Sequence, residues 1–315
     1  MKKYLGVDIG GTAVKIGIIG EDGSILRKTS CSVDYDGYAT PVIDSVIAGI
    51  DSFLASENAY IAGLSGIGVS ATGNIDFRNG IIAGSAGHIK GWTGTKVKSI
   101  LETRYGLYTT LLNDAKCAAL GEYWLGSARG ARNVVVVTVG TSIGGGIIVD
   151  SKLLAGSTGY AGEIGFFFLK ADEQKSGNDH CGYYEHYAST TALVRSVKTA
   201  SENGVIVWPA GEPVNGRTIF AHDGEICGLH EIIGGWINDV AAGIVSFVHI
   251  FNPERVIIGG GVSGEHDKFI MPLTVKVKDT VMAVYRDGFE IRAAGLGNDA
   301  GMAGAVYWNM YGGVK

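Results

Sequence analysis

The sequence predicts an α/β fold built from two similar lobes, and three observations lead there. An apolar strand, a glycine–threonine turn, a second apolar strand and a polar turn occupy residues 4–23 and recur over 135–152. After each of these hairpins, short apolar strands alternate with segments of helical spacing, the pattern of an α/β sheet protein. The chain has 315 residues, long enough for two domains that each bury a core of their own.

The opening hairpin continues into a third strand near residues 24–32. Residues 40–58 predict a helix, with Val42, Ile43, Val46, Ile47, Ile50 and Leu54 on one stripe. Residues 67–70 read as a buried strand that ends in the polar turn Ala71-Thr72-Gly73-Asn74. A helix over 94–105 precedes a short strand over 109–112. That strand delivers Asn113-Asp114 to its carboxyl end, where ligand groups of open α/β sheets collect, just before a helix running to Trp124. The second half repeats this plan with longer insertions. Residues 151–188 read as an irregular polar stretch, 189–201 as a helix and 202–225 as a variable region. A long helix over 229–250 turns Ile232, Ile233, Trp236, Val240, Ile244 and Phe247 inward. A strand over 255–258 enters the run Gly259-Gly260-Gly261, and helices over 266–284 and 299–311 close the chain.

Composition narrows the class. Fifty glycines are more than double the number expected from an average near 7%, and their scatter marks them as turn residues. A net charge of −5 offers no basic footprint for nucleic acid or an anionic membrane. Cys31, Cys117, Cys181 and Cys227 form no Cys-x-x-Cys pair, which suits a reducing compartment. Asp8 and its glycines interrupt the apolar stretch after Met1-Lys2-Lys3, so no signal peptide is read there. No run approaches the roughly 18 apolar residues of a membrane span. A cytoplasmic protein is expected.

The hairpin turns carry the chemistry. Glycine lets backbone N–H groups approach an anion, and threonine adds a hydroxyl donor. Two such turns facing each other would grip a polyphosphate, so Gly10, Gly11, Thr12, Gly140 and Thr141 are candidate nucleotide contacts. Asp8 stands between apolar residues, where a carboxylate needs a partner. It reads as facing, through water, the Mg²⁺ that accompanies a nucleotide. Lys15 fits either a phosphate contact or an exposed strand position. Phosphoryl transfer needs a base beside the acceptor hydroxyl, and Asp114, next to the Asn113 amide, suits that role. A helix N-cap accounts equally well for Asn113-Asp114 on local sequence alone. Gly259-x-Gly261-x-x-Gly264 matches a dinucleotide fingerprint, but no second strand ends in an acid about 20 residues on, so no NAD site is expected. There is no P-loop sequence.

Taken in order, the motifs resemble those of the ROK family of bacterial sugar kinases and sugar-responsive repressors. They are Asp8-x-Gly10-Gly11-Thr12-x-x-Lys15, Asn113-Asp114-Ala115, Gly140-Thr141-x-x-Gly144-Gly145-Gly146, Gly162-Glu163-Ile164-Gly165 and Gly259-Gly260-Gly261-Val262-Ser263. With Gly297-Asn298-Asp299-Ala300-Gly301 near the end, the resemblance spans essentially the whole chain. It implies the actin/hexokinase-type fold, two RNase H-like α/β lobes with an interdomain cleft. Residues 1–115 would form the N-terminal lobe, with a C-terminal helix over about 299–315 packing back on it, and 116–298 the C-terminal lobe. The implied activity is ATP-dependent transfer of the γ-phosphoryl group to the 6-hydroxyl of a hexose or hexoside, glucose or a β-glucoside foremost. An N-acetylhexosamine kinase and a non-enzymatic sugar-sensing regulator are the alternatives. ATP and Mg²⁺ are the implied cofactors, Asp114 the catalytic base, and Gly260 and Gly261 the approach to adenosine. Thr72, Gly73, His88, Asn113, Asp114, Glu163, Phe166 and Glu185 would meet the sugar. Domain closure would exclude water, and a homodimer without nucleic-acid or membrane partners is expected.

Several positions depart from the family pattern. Leu112 stands where glutamate is usual, His88 where asparagine is, and Ser142 where glycine is. Phe166 replaces the histidine of a structural zinc site whose remaining trace is His180-Cys181-Gly182, so no structural zinc is expected. Phe166 resembles the aromatic residue of the family's β-glucoside kinases, which would stack near the anomeric carbon. Alternatively, Phe166-Phe167-Phe168 fills a core strand. The family's repressors carry a DNA-binding segment ahead of the first strand, which begins here near residue 4. ATP and polyphosphate remain open as donors.

Overall fold

The repeated hairpin starts a five-stranded mixed sheet in each half of the chain. The computed structural model describes residues 1–33, 36–57, 61–85, 89–173 and 181–312. Contacts divide the chain into one unit of Met1–Arg129, Leu153–Ala161 and Asn298–Lys315 and a second of Gly130–Lys152 and Gly162–Gly297.

The first unit opens with the antiparallel strands β1 (Lys3–Ile9), β2 (Ala13–Gly20) and β3 (Ile25–Ser32). Helix α1 (Val42–Ser56) follows, burying Val46, Ile50 and Phe53, with Ile43 and Ile47 at the edge of the core. Then come β4 (Ile67–Ala71), the hairpin β5 (Asn74–Asp76) and β6 (Ile81–Gly84), α2 (Val97–Tyr105), β7 (Thr109–Asn113) and α3 (Asp114–Trp124). The sheet order is β3-β2-β1-β4-β7, with β1, β4 and β7 parallel. Leu5, Val7, Ile9, Ile67 and Val69 are all buried, as near-continuous apolar runs should be when both faces of a parallel sheet are covered.

The second unit repeats the order. Its elements are β8 (Val134–Val139), β9 (Ile143–Val149), β10 (Lys152–Leu153, whose Leu153 begins a segment of the first unit), α4 (Tyr184–Ala188), α5 (Thr190–Glu202), α6 (Gly216–Ala221), α7 (Leu229–Phe251), β11 (Arg255–Gly259), α8 (Met271–Thr280) and β12 (Glu290–Ala293). Its sheet runs β10-β9-β8-β11-β12, with β11 parallel to both β8 and β12. Helix α7 is long and apolar enough to cross a bilayer by composition. Its stripe Ile233, Trp236, Val240, Ile244 and Phe247 is instead buried in this unit's core, and Trp236 Nε1 donates to the carbonyls of Ala188 and Ser189. Helix α9 (Ala300–Tyr307) belongs to the first unit, where Met302 and Val306 join Tyr4 and Ile19. Just beyond it, Asn309 Nδ2 donates to Ile67 O at 3.0 Å, tying the end of the chain to β4.

The short strands β5, β6 and β12 escape the periodicity, because three or four residues cannot establish a period. The helix expected over 266–284 is three pieces, a π turn His266–Ile270, α8 and a 3₁₀ turn Ala283–Tyr285. Pro272, in the first turn of α8, has no N–H to bond backwards, so a regular helix cannot run through it.

His222, at the end of α6, bridges two carboxylates. Nε2 lies 2.8 Å from Glu212 Oε2 and Nδ1 lies 2.8 Å from Glu225 Oε2. The hydrogen bonds to Glu212 and then Glu225 raise the imidazole pKa above its ordinary 6.5. Its contribution to stability is therefore complete below the unfolded value and is lost as pH rises through the raised folded one. The Tm difference between wild type and His222→Ala should be widest near about pH 6 and narrow toward about pH 9. A constant difference across that range would remove the charged bridge.

Candidate active site

Parallel pairing sets Ile9, Ala71 and Asn113 side by side at the carboxyl edge of the first unit's sheet. Asp8 lies one residue inside that edge, with Lys15 of β2 and Ser70 of β4 as its cross-strand neighbours. Lys15 Nζ is 3.1 Å from Asp8 Oδ2, and Ser70 Oγ donates to Asp8 Oδ1 at 2.6 Å. The Asp8 side chain is 14% exposed, so these two partners supply the compensation that water would otherwise give. Lys15 thus does more than occupy an exposed strand position. A Cβ on Gly301 would sit 2.8 Å from Asp8 Oδ1, so only a bare Cα lets the start of α9 close over this carboxylate.

The turn Gly10-Gly11-Thr12 is half-exposed. Gly10 N donates to Ala13 O at 2.9 Å, Thr12 O accepts from Val33 N at 3.0 Å, and the Tyr38 hydroxyl donates to Gly11 O. Because a trans peptide points its two polar groups in opposite directions, the Thr12 N–H faces away from Tyr38. Thr72 continues the edge, with its N–H donating to Ile9 O at 3.0 Å and its carbonyl accepting from Trp92 Nε1. His88 lies outside the described residues.

Asn113 is the N-cap of α3. Its Oδ1 accepts from the Ala115 and Lys116 N–H groups, while Nδ2 donates to Gly73 O at 3.1 Å and to Asp114 Oδ1 at 2.9 Å. The capping role that local sequence allowed is therefore present, and the same side chain orients Asp114. Asp114 Oδ1 also accepts from Ala115 N at 2.8 Å, and the helix N-terminus favours a carboxylate there. Behind both aspartates lies Cys117, wholly buried. Burial first, then the charge of Asp8 and more weakly that of Asp114, pushes its thiol well above the ordinary range, against a hydrogen bond with Ser70. One sulfur senses both carboxylates.

Two residues here were missed from sequence. Ser70 is the lone hydroxyl of an otherwise apolar buried strand, and that isolation was the signal. Lys116 is buried on α3 and donates from Nζ to Gly159 O at 2.7 Å. A lone lysine on a helix reads as solvated, so nothing local pointed to it.

In the second unit the same edge is built of glycines and small hydroxyl side chains. Gly140 N donates to Ser142 O at 3.0 Å, Gly140 O accepts from Thr190 N, and Thr141 is exposed. Gly260 follows β11 with φ +97°, and a Cβ there would run into Val139 O, so glycine is required where β11 meets β8. Gly261 lies exposed beside it.

The Gly162–Gly165 turn exposes Glu163, and a Cβ on Gly165 would lie 3.3 Å from Glu185 Oε2. The fold therefore brings the Glu163 turn against Glu185, which is 8% exposed on α4. Phe166 is 45% exposed and meets Tyr183 edge-on at 5.6 Å, while Phe168 stacks on Tyr183 from 4.6 Å. Only Phe167 turns inward, against Tyr184 and Phe247. The three phenylalanines are not a core strand.

Cys181 Sγ is 4.0 Å from His186 Nε2, and His180 lies outside the described residues. Among the described residues no three His, Cys, Asp or Glu side chains group as a metal site. Asp8, a single hard oxygen donor, fits a Mg²⁺ carried mainly by phosphate oxygens and water.

The ROK family profile matches residues 4–310. A glucokinase of Thermotoga maritima is 32% identical over 311 residues, covering 96% of either chain. A beta-glucoside kinase of Klebsiella pneumoniae is 33% identical over 307 residues, covering 97% of this chain and 95% of the relative. Among solved structures, a ROK family glucokinase from Streptomyces griseus in complex with glucose and AMPPNP superimposes with a TM-score of 0.80 at 29% identity. That match covers 96% of this chain and 97% of the other.

Asn113→Ala should lower stability by about 0.5–2 kcal/mol, the usual loss for an N-cap, as measured by urea denaturation. An unchanged midpoint and slope would show that the cap does not hold the start of α3.

Proposed function

The chain belongs to the ROK family, and on that premise we propose that it is an ATP-dependent sugar kinase acting on the 6-hydroxyl of a hexose or hexoside. The observation that carries this reading is Asp114 itself, held at the N-terminus of α3 by Asn113 Nδ2 and Ala115 N on the same oxygen. A carboxylate so fixed can accept the proton of a sugar hydroxyl as the oxygen attacks phosphorus. Bound MgATP supplies the phosphoryl group and the positive charge that offsets negative charge developing in the transition state.

Asp8 would face that metal through water, with Lys15 as its counter-ion. The turns Gly10-Gly11-Thr12 and Gly140-Thr141 meet phosphate oxygens through the N–H groups of Gly11, Thr12 and Thr141, since those of Gly10 and Gly140 are spent within their own turns, while Gly260 and Gly261 leave room for adenosine. Thr72, Gly73, His88, Glu163 and Glu185 hold the sugar hydroxyls, and Asn113, whose amide is occupied by the helix start, Gly73 and Asp114, serves the sugar by orienting Asp114. The reading includes a homodimer, a cytoplasmic location and no need for structural zinc.

Glucose and β-glucosides are the leading acceptors. The half-exposed Phe166 ring on its Tyr183 support favours β-glucosides, because an aromatic face stacks on a pyranose or its substituent and leaves no polar group unpaired. Likeness to both a glucokinase and a beta-glucoside kinase supports the pair.

Asp114→Asn should keep the fold and sugar binding and lose about 10² to 10⁴ in kcat. Turnover near the wild-type rate in a coupled ADP-release assay would assign the base elsewhere. Phe166→His should move the kcat/KM ratio toward glucose over cellobiose by about 1–3 kcal/mol, the scale of one polar contact. Rejection of cellobiose by wild type, with selectivity unchanged in the variant, would remove Phe166 from the sugar site.

A further inference from the structure

Asp8 meets a different environment at each of its oxygens. Oδ1 accepts from Ser70 Oγ at 2.6 Å, and Ser70 is fully buried in β4. Oδ2 is 3.1 Å from Lys15 Nζ, whose side chain is 35% exposed. The buried hydroxyl therefore holds Oδ1, while Oδ2 meets the partly exposed ammonium of Lys15.

Sheet register accounts for this contact. Asp8 is the direct partner of Lys15 across the antiparallel β1–β2 pair and of Ser70 across the parallel β1–β4 pair. Residues in register on adjacent strands project to the same face, so Lys15, Asp8 and Ser70 form a polar row across a sheet whose neighbouring rows are apolar. Ile16, Val7 and Val69 make the adjoining row, all buried. A hydroxyl in such a place is unfavourable unless it makes a good hydrogen bond; Ser70 donates to Asp8 and also meets the Cys117 thiol.

We propose that Ser70 is a positioning residue for the nucleotide's metal, fixing Oδ1 of Asp8 so that Oδ2 is presented to that metal. The proposal rests on the reading of Asp8 as the carboxylate that faces Mg²⁺. Ser70 touches neither substrate nor metal and acts only through Asp8. Free to turn about its side-chain bonds, the carboxylate would lose this orientation, and its Oδ2 would be drawn wholly to Lys15. The effect of losing Ser70 should therefore fall on magnesium-dependent nucleotide binding and spare the sugar.

The test is calorimetric binding of AMPPNP, with and without Mg²⁺, and of glucose, to wild type, Asp8→Asn, Ser70→Ala and Ser70→Thr. Ser70→Ala removes the hydroxyl and leaves almost no cavity, and Ser70→Thr returns the hydroxyl with one added methyl. The expected result is about a tenfold weaker binding of magnesium–AMPPNP in Ser70→Ala, the scale of one charge-assisted hydrogen bond. Metal-free AMPPNP and glucose should bind as in wild type, and Ser70→Thr should restore most of the loss. Equal weakening of all three ligands in Ser70→Ala would overturn the proposal in favour of a general packing role. If Asp8→Asn weakens magnesium–AMPPNP and Ser70→Ala does not, Ser70 loses its role while Asp8 keeps its own. If Asp8→Asn has no effect, the reading of Asp8 fails and the proposal fails with it. Should Ser70→Ala prove too unstable to purify, Ser70→Thr binding magnesium–AMPPNP no better than Asp8→Asn would overturn it.

Discussion

The first unit is organised by the need to keep one carboxylate inside an apolar sheet. Asp8 sits between Val7 and Ile9, both fully buried, where an unpaired charge would be strongly unfavourable. Its two neighbouring strands answer with one group each, an ammonium from β2 and a hydroxyl from β4. That requirement fixes the register of β1 against both neighbours, because a slip of one residue would turn Lys15 or Ser70 to the other face. It also fixes Gly301, since any side chain there would displace the carboxylate. The start of α9, near the end of the chain, is thus set by an atom in the first strand.

The second unit uses the same strand order to a different end. Where the first has charge at the carboxyl edge, the second has glycines and small hydroxyls, in the turn after β8 and the run after β11. Gly260 comes so close to Val139 O that no side chain could be placed there, which leaves peptide groups as the surface on offer. Peptide N–H groups suit phosphate, and a carboxylate backed by an ammonium suits the metal that accompanies it. One architecture supports both because each places its loops at the ends of parallel strands, where the backbone runs out of partners.

Helix α3 shows how a structural and a chemical role can share one side chain. Asn113 satisfies the first N–H groups of the helix and also orients Asp114 and holds Gly73 O. A carboxylate held this way would lose little freedom on meeting an acceptor hydroxyl, as the base role proposed for Asp114 requires, because its Oδ1 is already anchored at the start of the helix. The buried Lys116, two residues on, ties the same helix turn to the Gly159 carbonyl.

What the sequence by itself determined was whatever repeats along the chain or recurs at a fixed spacing. The twin hairpins, the stripes of α1 and α7, the strand ends at Asn113 and Gly259 and the glycine turns are local patterns, and each stands where it was expected. Short elements such as β5, β6 and β12 left no period to read, and the proline in the first turn of α8 divided what looked like one helix. Tertiary structure alone decided the partners. Lys15 became the counter-ion of Asp8, Ser70 its hydrogen-bond donor, and Phe166 an exposed ring on Tyr183, with its neighbour Phe167 turned inward. Asp8 and Ser70 are 62 positions apart in the chain and 2.6 Å apart in the fold. Local spacing states which face a residue occupies, and only the pairing of distant strands states what that face meets.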